Sequence, residues 1–192
     1  MKIAYDYTAF LLQKYGGVTK YFVELVKNIS LNHDVKIIAP ININIYATEL
    51  EKEIFSLIRL KKIPRFGSKI SNYLNYIISS IHMKYSKPDI IHKTFFNNYS
   101  YKNQSAKKIL NVWDLNHEIY HDLYKKNKEW RPKKIALSQA DHVICSSNKT
   151  QSDLVKYYNF DLEKTSVVYQ GINKYENHHD IQYNKQKYLL YV

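Results

Sequence analysis

The segment from Lys2 to Pro40 constrains the fold more than any other part of the chain. Lys2 to Tyr7 is a short apolar-rich run at the amino terminus and reads as a buried strand. A polar loop containing Gly16-Gly17 follows. Val18, Tyr21, Phe22, Leu25, Val26 and Ile29 then recur at i, i+3, i+4, i+7, i+8 and i+11, the spacing of one face of an amphipathic helix. Val35 to Ala39 reads as a second buried strand, stopped by Pro40. Two buried strands joined through a helix form a βαβ unit, whose right-handed crossover lays the strands side by side and parallel. The expectation is an α/β protein built on an open parallel sheet with helices on both faces.

The rest of the chain continues the alternation. Leu50 to Lys62 places Leu50, Ile54, Leu57 and Ile58 on one helical face. Gly67-Ser68 precedes Ile70, Tyr73, Leu74, Ile77, Ile78 and Ile81, again at helical spacing. Pro88-Asp89 ends that helix before a strand at Ile90-Ile91-His92, and Lys108 to Asp114 is a further strand. Pro132 suits the first turn of a helix running to about Gln139. His142 to Ser146 is a strand, and Ser146-Ser147-Asn148 offers N-caps for a helix through Tyr158. Ser166 to Gln170 is the sixth strand, in a sheet expected to hold about six or seven. From Gly171 the character changes. The expected organisation is a domain over 1–171, a polar linker over 172–187, and at 188–192 (Tyr188 to Val192, YLLYV) the first strand of a second domain.

Composition narrows the classes. The chain has 192 residues and is 45% hydrophobic, enough for one domain with a sizeable core. Its single cysteine, Cys145, excludes a disulfide framework and cysteine-based zinc sites, and a reducing compartment is expected. Asp6 comes too early for a secretory signal, and no apolar run approaches the ~18 to 20 residues that span a bilayer. A cytoplasmic protein is expected, with peripheral contact at the inner membrane face as an addition. The net charge of +12 comes from lysines spread through every segment, with arginine only at 59, 65 and 131. Nucleic-acid readers concentrate charge and favour arginine forks. No nucleic-acid partner is therefore expected.

Four groups of residues could carry chemistry. No GxGxxG, GxxxxGK[ST], GxSxG or HExxH motif occurs. Gly16-Gly17 at the start of a helix reads first as a tight turn needing φ > 0; the other reading brings backbone N–H groups close to a phosphate, with Lys20 one turn on. Asp114 and His117 follow a strand at the edge where open α/β sheets bind ligands; position alone favours a surface-loop histidine with an aspartate capping a turn, and the other reading makes His117 a proton-transfer group oriented by Asp114. His92 and Thr94 close another strand in the same way. Arg59 to Phe66, with Lys69, sets basic charge beside apolar residues, which fits either a membrane contact or a solvated helix end.

Taken in order, these segments resemble the N-terminal domain of family-4-type glycosyltransferases with the GT-B fold. Gly16-Gly17-Val18-Thr19-Lys20-Tyr21 is similar to that family's GG(V/I)xRY element, with Lys20 for the arginine. Asp89-Ile90-Ile91-His92-Lys93-Thr94-Phe95 and Asp114-Leu115-Asn116-His117-Glu118 resemble its next two motifs. Ala140 to Thr150, followed by Asp153-Leu154, is the most similar stretch, and Ser166 to Gly171 resembles the last strand before the interdomain linker. Trp113 departs from the pattern, because many relatives carry histidine directly before this aspartate.

The resemblance implies a Rossmann-like, acceptor-side half of a retaining, metal-independent sugar transferase. It would use no cofactor, only a nucleotide-sugar donor, and would act on a lipid-linked or oligosaccharide acceptor in surface-polysaccharide synthesis. Gly16, Gly17 and Lys20 would lie near the diphosphate or acceptor, His92 and Thr94 near the acceptor, and His117 and Asp114 at the reacting hydroxyl. The family's donor-gripping Arg/Lys pair and E-x7-E element belong to a C-terminal half. The chain is thus expected to be inactive without a separate C-terminal partner. The rival reading is a truncated, non-catalytic product or binding subunit that pairs with such a half.

Overall fold

The computed structural model describes residues 1–50, 52–63, 67–101, 105–124 and 130–171. The linker and strand expected over 172–192 lie outside these residues, as do Pro64, Arg65 and Phe66 of the basic segment.

The chain opens with β1 (Lys2–Tyr5), the short helix α1 (Thr8–Leu12) and α2 (Gly17–Ile29). Then come β2 (Asp34–Ile38), β3 (Ile41–Asn42), a 3-10 turn (Tyr46–Glu49), β4 (Ile54–Phe55) and β5 (Ile58–Arg59). The long α3 (Ser68–Ser86) leads to β6 (Ile90–Lys93) and β7 (Lys107–Val112). The described chain ends with α4 (Asn116–Ile119), α5 (Trp130–Ser138), β8 (His142–Cys145), α6 (Asn148–Tyr158), a 3-10 turn (Leu162–Lys164) and β9 (Thr165–Val167). No described helix is long and apolar enough to cross a membrane.

Seven strands form one sheet in the order β4-β2-β1-β6-β7-β8-β9, every pair parallel. This is the expected α/β, Rossmann-like sheet. Strand order runs outward in both directions from β1 and β6, so the reversal falls between these two strands. In such sheets ligands bind beyond the carboxyl ends at that reversal. Ile3 and Tyr5 enter one core with Phe22, Val23 and Val26 of α2, while Ala4 faces a second with Met83 of α3 and Ile91. Leu110, Val112 and Val143 build a third with Leu137 of α5 and Leu154 of α6. Side chains alternate along a strand, so each strand feeds cores above and below the sheet.

Two expectations are corrected. Leu50 to Lys62 is not a helix: Ile54–Phe55 extends the main sheet beside β2, and Ile58–Arg59 pairs with β3. Backbone groups left open at the sheet edge decide this, because Ile37 N–H donates to Glu53 O at 2.6 Å and Ala39 N–H to Phe55 O at 3.0 Å. Apolar residues three and four apart also fit two short strands. The segment before Gly16 is not simply a polar loop either: α1 is almost wholly buried through Thr8, Ala9, Phe10 and Leu11.

Candidate functional site

The carboxyl ends of β1 and β6 are joined by a buried polar knot. Asp6, fully buried, follows β1; Thr94 follows β6. Asp6 accepts hydrogen bonds from the Thr8 hydroxyl at 2.6 Å, Thr94 N–H at 2.6 Å and the Asn97 amide at 2.9 Å. The Thr94 hydroxyl lies 2.7 Å from the same carboxylate and accepts from Ala9 N–H at 3.0 Å. Beside the knot the buried Lys93 ammonium donates to Tyr99 O at 2.7 Å and to Gln139 Oε1 at 2.9 Å. Burial lowers its pKa to about 8, against the pull of Asp6. Hydrogen bonds therefore close the floor between the carboxyl ends of β1 and β6.

α2 rises from that floor. Gly16 is extended (φ 174°), so no left-handed backbone explains the glycine. A Cβ there would lie 2.2 Å from Gln13 Oε1 and 2.5 Å from its Cδ, the far end of a flexible side chain that can turn aside. At Gly17 a Cβ would meet nothing within 4 Å. Neither strain nor crowding requires Gly17. α2 also begins without a capping side chain and without an acidic residue in its first turn. Its first N–H groups thus have no capping side chain as partner, and no carboxylate of the first turn offsets the helix dipole. Lys20 is already committed: it pairs with Glu24 at 3.0 Å and Glu49 at 3.1 Å, and its pKa is raised chiefly by the Glu24 bond.

The loop after β7 meets α2 through Trp113, whose ring lies edge-on to Tyr21 at 4.9 Å. Trp113 O is held by the hydroxyls of Ser146 at 2.6 Å and Thr150 at 3.2 Å, so the β8–α6 junction fixes this loop. Asp114 is exposed and accepts from Asn116 N–H at 3.0 Å, starting α4. The half-buried His117 ring packs on Tyr124 at 4.5 Å. Glu118 turns the other way, into a buried ion pair with Lys133 at 2.9 Å and a hydrogen bond from the Tyr158 hydroxyl. Burial, and then this bond, raises the Tyr158 pKa.

Gly16, Gly17, Asp114 and His117 thus follow the carboxyl ends of parallel strands at one edge. His92 and Thr94 sit below them. His92 is buried, stacked on Tyr5 at 5.0 Å, and its Nε2–H donates to Asn111 Oδ1 at 2.7 Å. Burial lowers its pKa to about 4. Asp6, Asn97, Lys93 and the Glu118–Lys133 pair were not visible as site residues; for Asp6 the one signal is a carboxylate ending an apolar strand.

Residues 15–175 match Glycosyltransferase Family 4, and the chain belongs to that family. No curated protein matches it in sequence. Among solved structures it is similar in fold to the lipopolysaccharide outer core galactosyltransferase WaaB in its apo form, at 16% identity and a TM-score of 0.55, over 90% of this chain and 46% of that one. It is similar also to a glycosyltransferase from Rickettsia africae ESF-5, at 21% identity and 0.55, over 90% and 43%. The chain spans less than half the length of either.

Proposed function

We propose that this domain is the acceptor-side wall of a retaining glycosyltransferase that moves a sugar from a nucleotide sugar to a hydroxyl of a lipid-linked or oligosaccharide acceptor. The observation that carries the reading is Gly17: free of strain and crowding, it opens an uncapped helix N-terminus above the closed β1–β6 floor. That end stabilises the diphosphate as it departs and takes up negative charge. His117 and Asp114, on the neighbouring loop, line the approach of the acceptor hydroxyl. Lys20 stands one turn on, in exposed ion pairs with Glu24 and Glu49 that Lys27 shares.

Such a reaction needs water excluded by a second wall. The chain alone is expected to bind a nucleoside diphosphate weakly and to transfer no sugar; adding a polypeptide with the donor-binding half restores transfer. The test is a donor screen in both formats with wild type, Gly17→Val and His117→Ala. Turnover by the 192-residue chain alone would remove the two-wall requirement. Unchanged diphosphate binding in Gly17→Val would remove the proposed phosphate site.

A further inference from the structure

α3 presents its apolar arc to solvent and its polar arc to the protein. Ile70, Tyr73, Leu74, Ile77, Ile81 and Tyr85 fall within one arc of the helix, and all are exposed, Ile70 to 63% and Ile81 to 52%. The opposite arc buries Asn75, Ser79 and Met83. Those polar groups have specific work. Asn75 Oδ1 accepts from Ile41 N–H and its Nδ2 donates to Ile41 O, both at 2.8 Å, and Ser79 donates to Ile38 O at 3.3 Å. Together they satisfy the backbone where Pro40 separates β2 from β3. Tyr7 fixes the amino end of α3 by donating to Asn72 Oδ1 at 2.7 Å. Hydrogen bonds hold the helix down, and six large apolar side chains are left uncovered, a concentration that marks a contact surface.

The charges around the stripe indicate what covers it. α3 carries Lys69 and Lys84 and no carboxylate. The two-stranded sheet to which Asn75 is bonded exposes Leu57 and Ile58 and runs on into Arg59, Lys61 and Lys62. A second copy would oppose lysine to lysine on a chain of net charge +12. An anionic lipid surface meets both needs, taking the apolar stripe at the acyl boundary and the lysines at the headgroups.

We propose that α3 docks the domain onto anionic lipid, with Ile70, Leu74, Ile77 and Ile81 inserted and Lys69 and Lys84 at the phosphates. The inference is independent of the transferase reading. It also orients the site, because α3 begins beside Tyr7 at the carboxyl edge of the sheet.

The test is co-sedimentation of the full chain with phosphatidylglycerol/phosphatidylcholine vesicles, against phosphatidylcholine alone. Wild type should bind the anionic vesicles. Ile77→Ser with Ile81→Ser should weaken partitioning about tenfold or more, while circular dichroism and the melting temperature stay put, since both side chains are exposed. Lys69→Glu with Lys84→Glu should weaken it about fivefold per site, with added salt mimicking the effect. Absence of wild-type binding, or equal binding by the double serine variant, overturns the proposal. Sedimentation velocity gives the remaining arm: a wild-type dimer split by the serine substitutions would assign the face to a second copy and overturn the lipid reading.

Discussion

Asp6→Ala is the perturbation that best tests how the reversal point is held. The carboxylate is fully buried and accepts from Thr8, Thr94 and Asn97 at 2.6, 2.6 and 2.9 Å. Truncation leaves those buried donors without their shared acceptor. A hydrogen bond to a charged group is worth about 1.5–3 kcal/mol, and the three share one acceptor, so their losses do not add. Breaking a buried charged network costs roughly 3–5 kcal/mol, a large part of the ~5–15 kcal/mol that holds a domain together. With a urea m-value of about 2 kcal/mol/M, the midpoint should fall by roughly 1.5–2.5 M. Asp6→Asn should recover little, because its new NH2 group meets the Asn97 amide donor. The assay is urea unfolding followed by circular dichroism for wild type, both variants, Thr94→Ala and the Asp6/Thr94 double. Coupling of about 1–2 kcal/mol between the two positions is expected. If Asp6→Ala shifts stability by less than ~0.5 kcal/mol, the knot does not tie β1 to β6 and the floor is not closed as argued.

Three further outcomes follow from the same geometry. Burial holds the His92 pKa at about 4 against a usual 6.5, so as pH falls the unfolded chain takes up this proton first. That contribution is complete above pH 6.5, is lost down to about 4, and totals ~3 kcal/mol; urea titrations across this window should show the slope in wild type and lose it in His92→Leu. Glu118→Ala should cost roughly 3–5 kcal/mol by stranding the buried Lys133 ammonium, and Glu118→Leu with Lys133→Met should regain most of it, read by thermal melting. Gly17→Ala should stabilise by about 0.5–1 kcal/mol, since the new Cβ meets open space in a helical backbone, yet weaken nucleoside diphosphate binding in titration calorimetry.

Much of the fold was legible because buried parallel strands write themselves as short apolar runs, and α2 writes its face at helical spacing. The parts that were not legible share a cause. Asp6 stands 88 residues from Thr94 and 91 from Asn97, so the local run marks a carboxylate at the end of a buried strand but not the partners that hold it. Leu50 to Lys62 has apolar residues three and four apart, and the open edge of β2 selects strands from a pattern that also suits a helix. Lys20 pairs with Glu49, 29 residues away, a contact that no local pattern shows. Gly16 and Gly17 look alike in sequence, yet a Cβ at one meets the Gln13 side chain and at the other meets nothing within 4 Å.

α3 shows most sharply what periodicity leaves open. The spacing of Ile70, Leu74, Ile77 and Ile81 shows that the helix has an apolar face, and the ordinary assumption turns such a face inward. Here the interior offers α3 the unpaired backbone of Ile41 and the carbonyl of Ile38, beside the interruption at Pro40. An inward isoleucine could not satisfy those groups, and an orphaned buried backbone N–H or C=O costs about 1–3 kcal/mol. Asn75 and Ser79 can satisfy them. Their placement turns the helix over, and the residues a sequence pattern assigns to the core become an exposed apolar stripe. Asn75→Leu is the matching perturbation. It adds apolar bulk to a buried position, yet it should destabilise by roughly 2–4 kcal/mol because it strands both polar groups of Ile41. Chemical denaturation reads this directly, and a leucine variant as stable as wild type would show that hydrogen bonding does not set the orientation of α3.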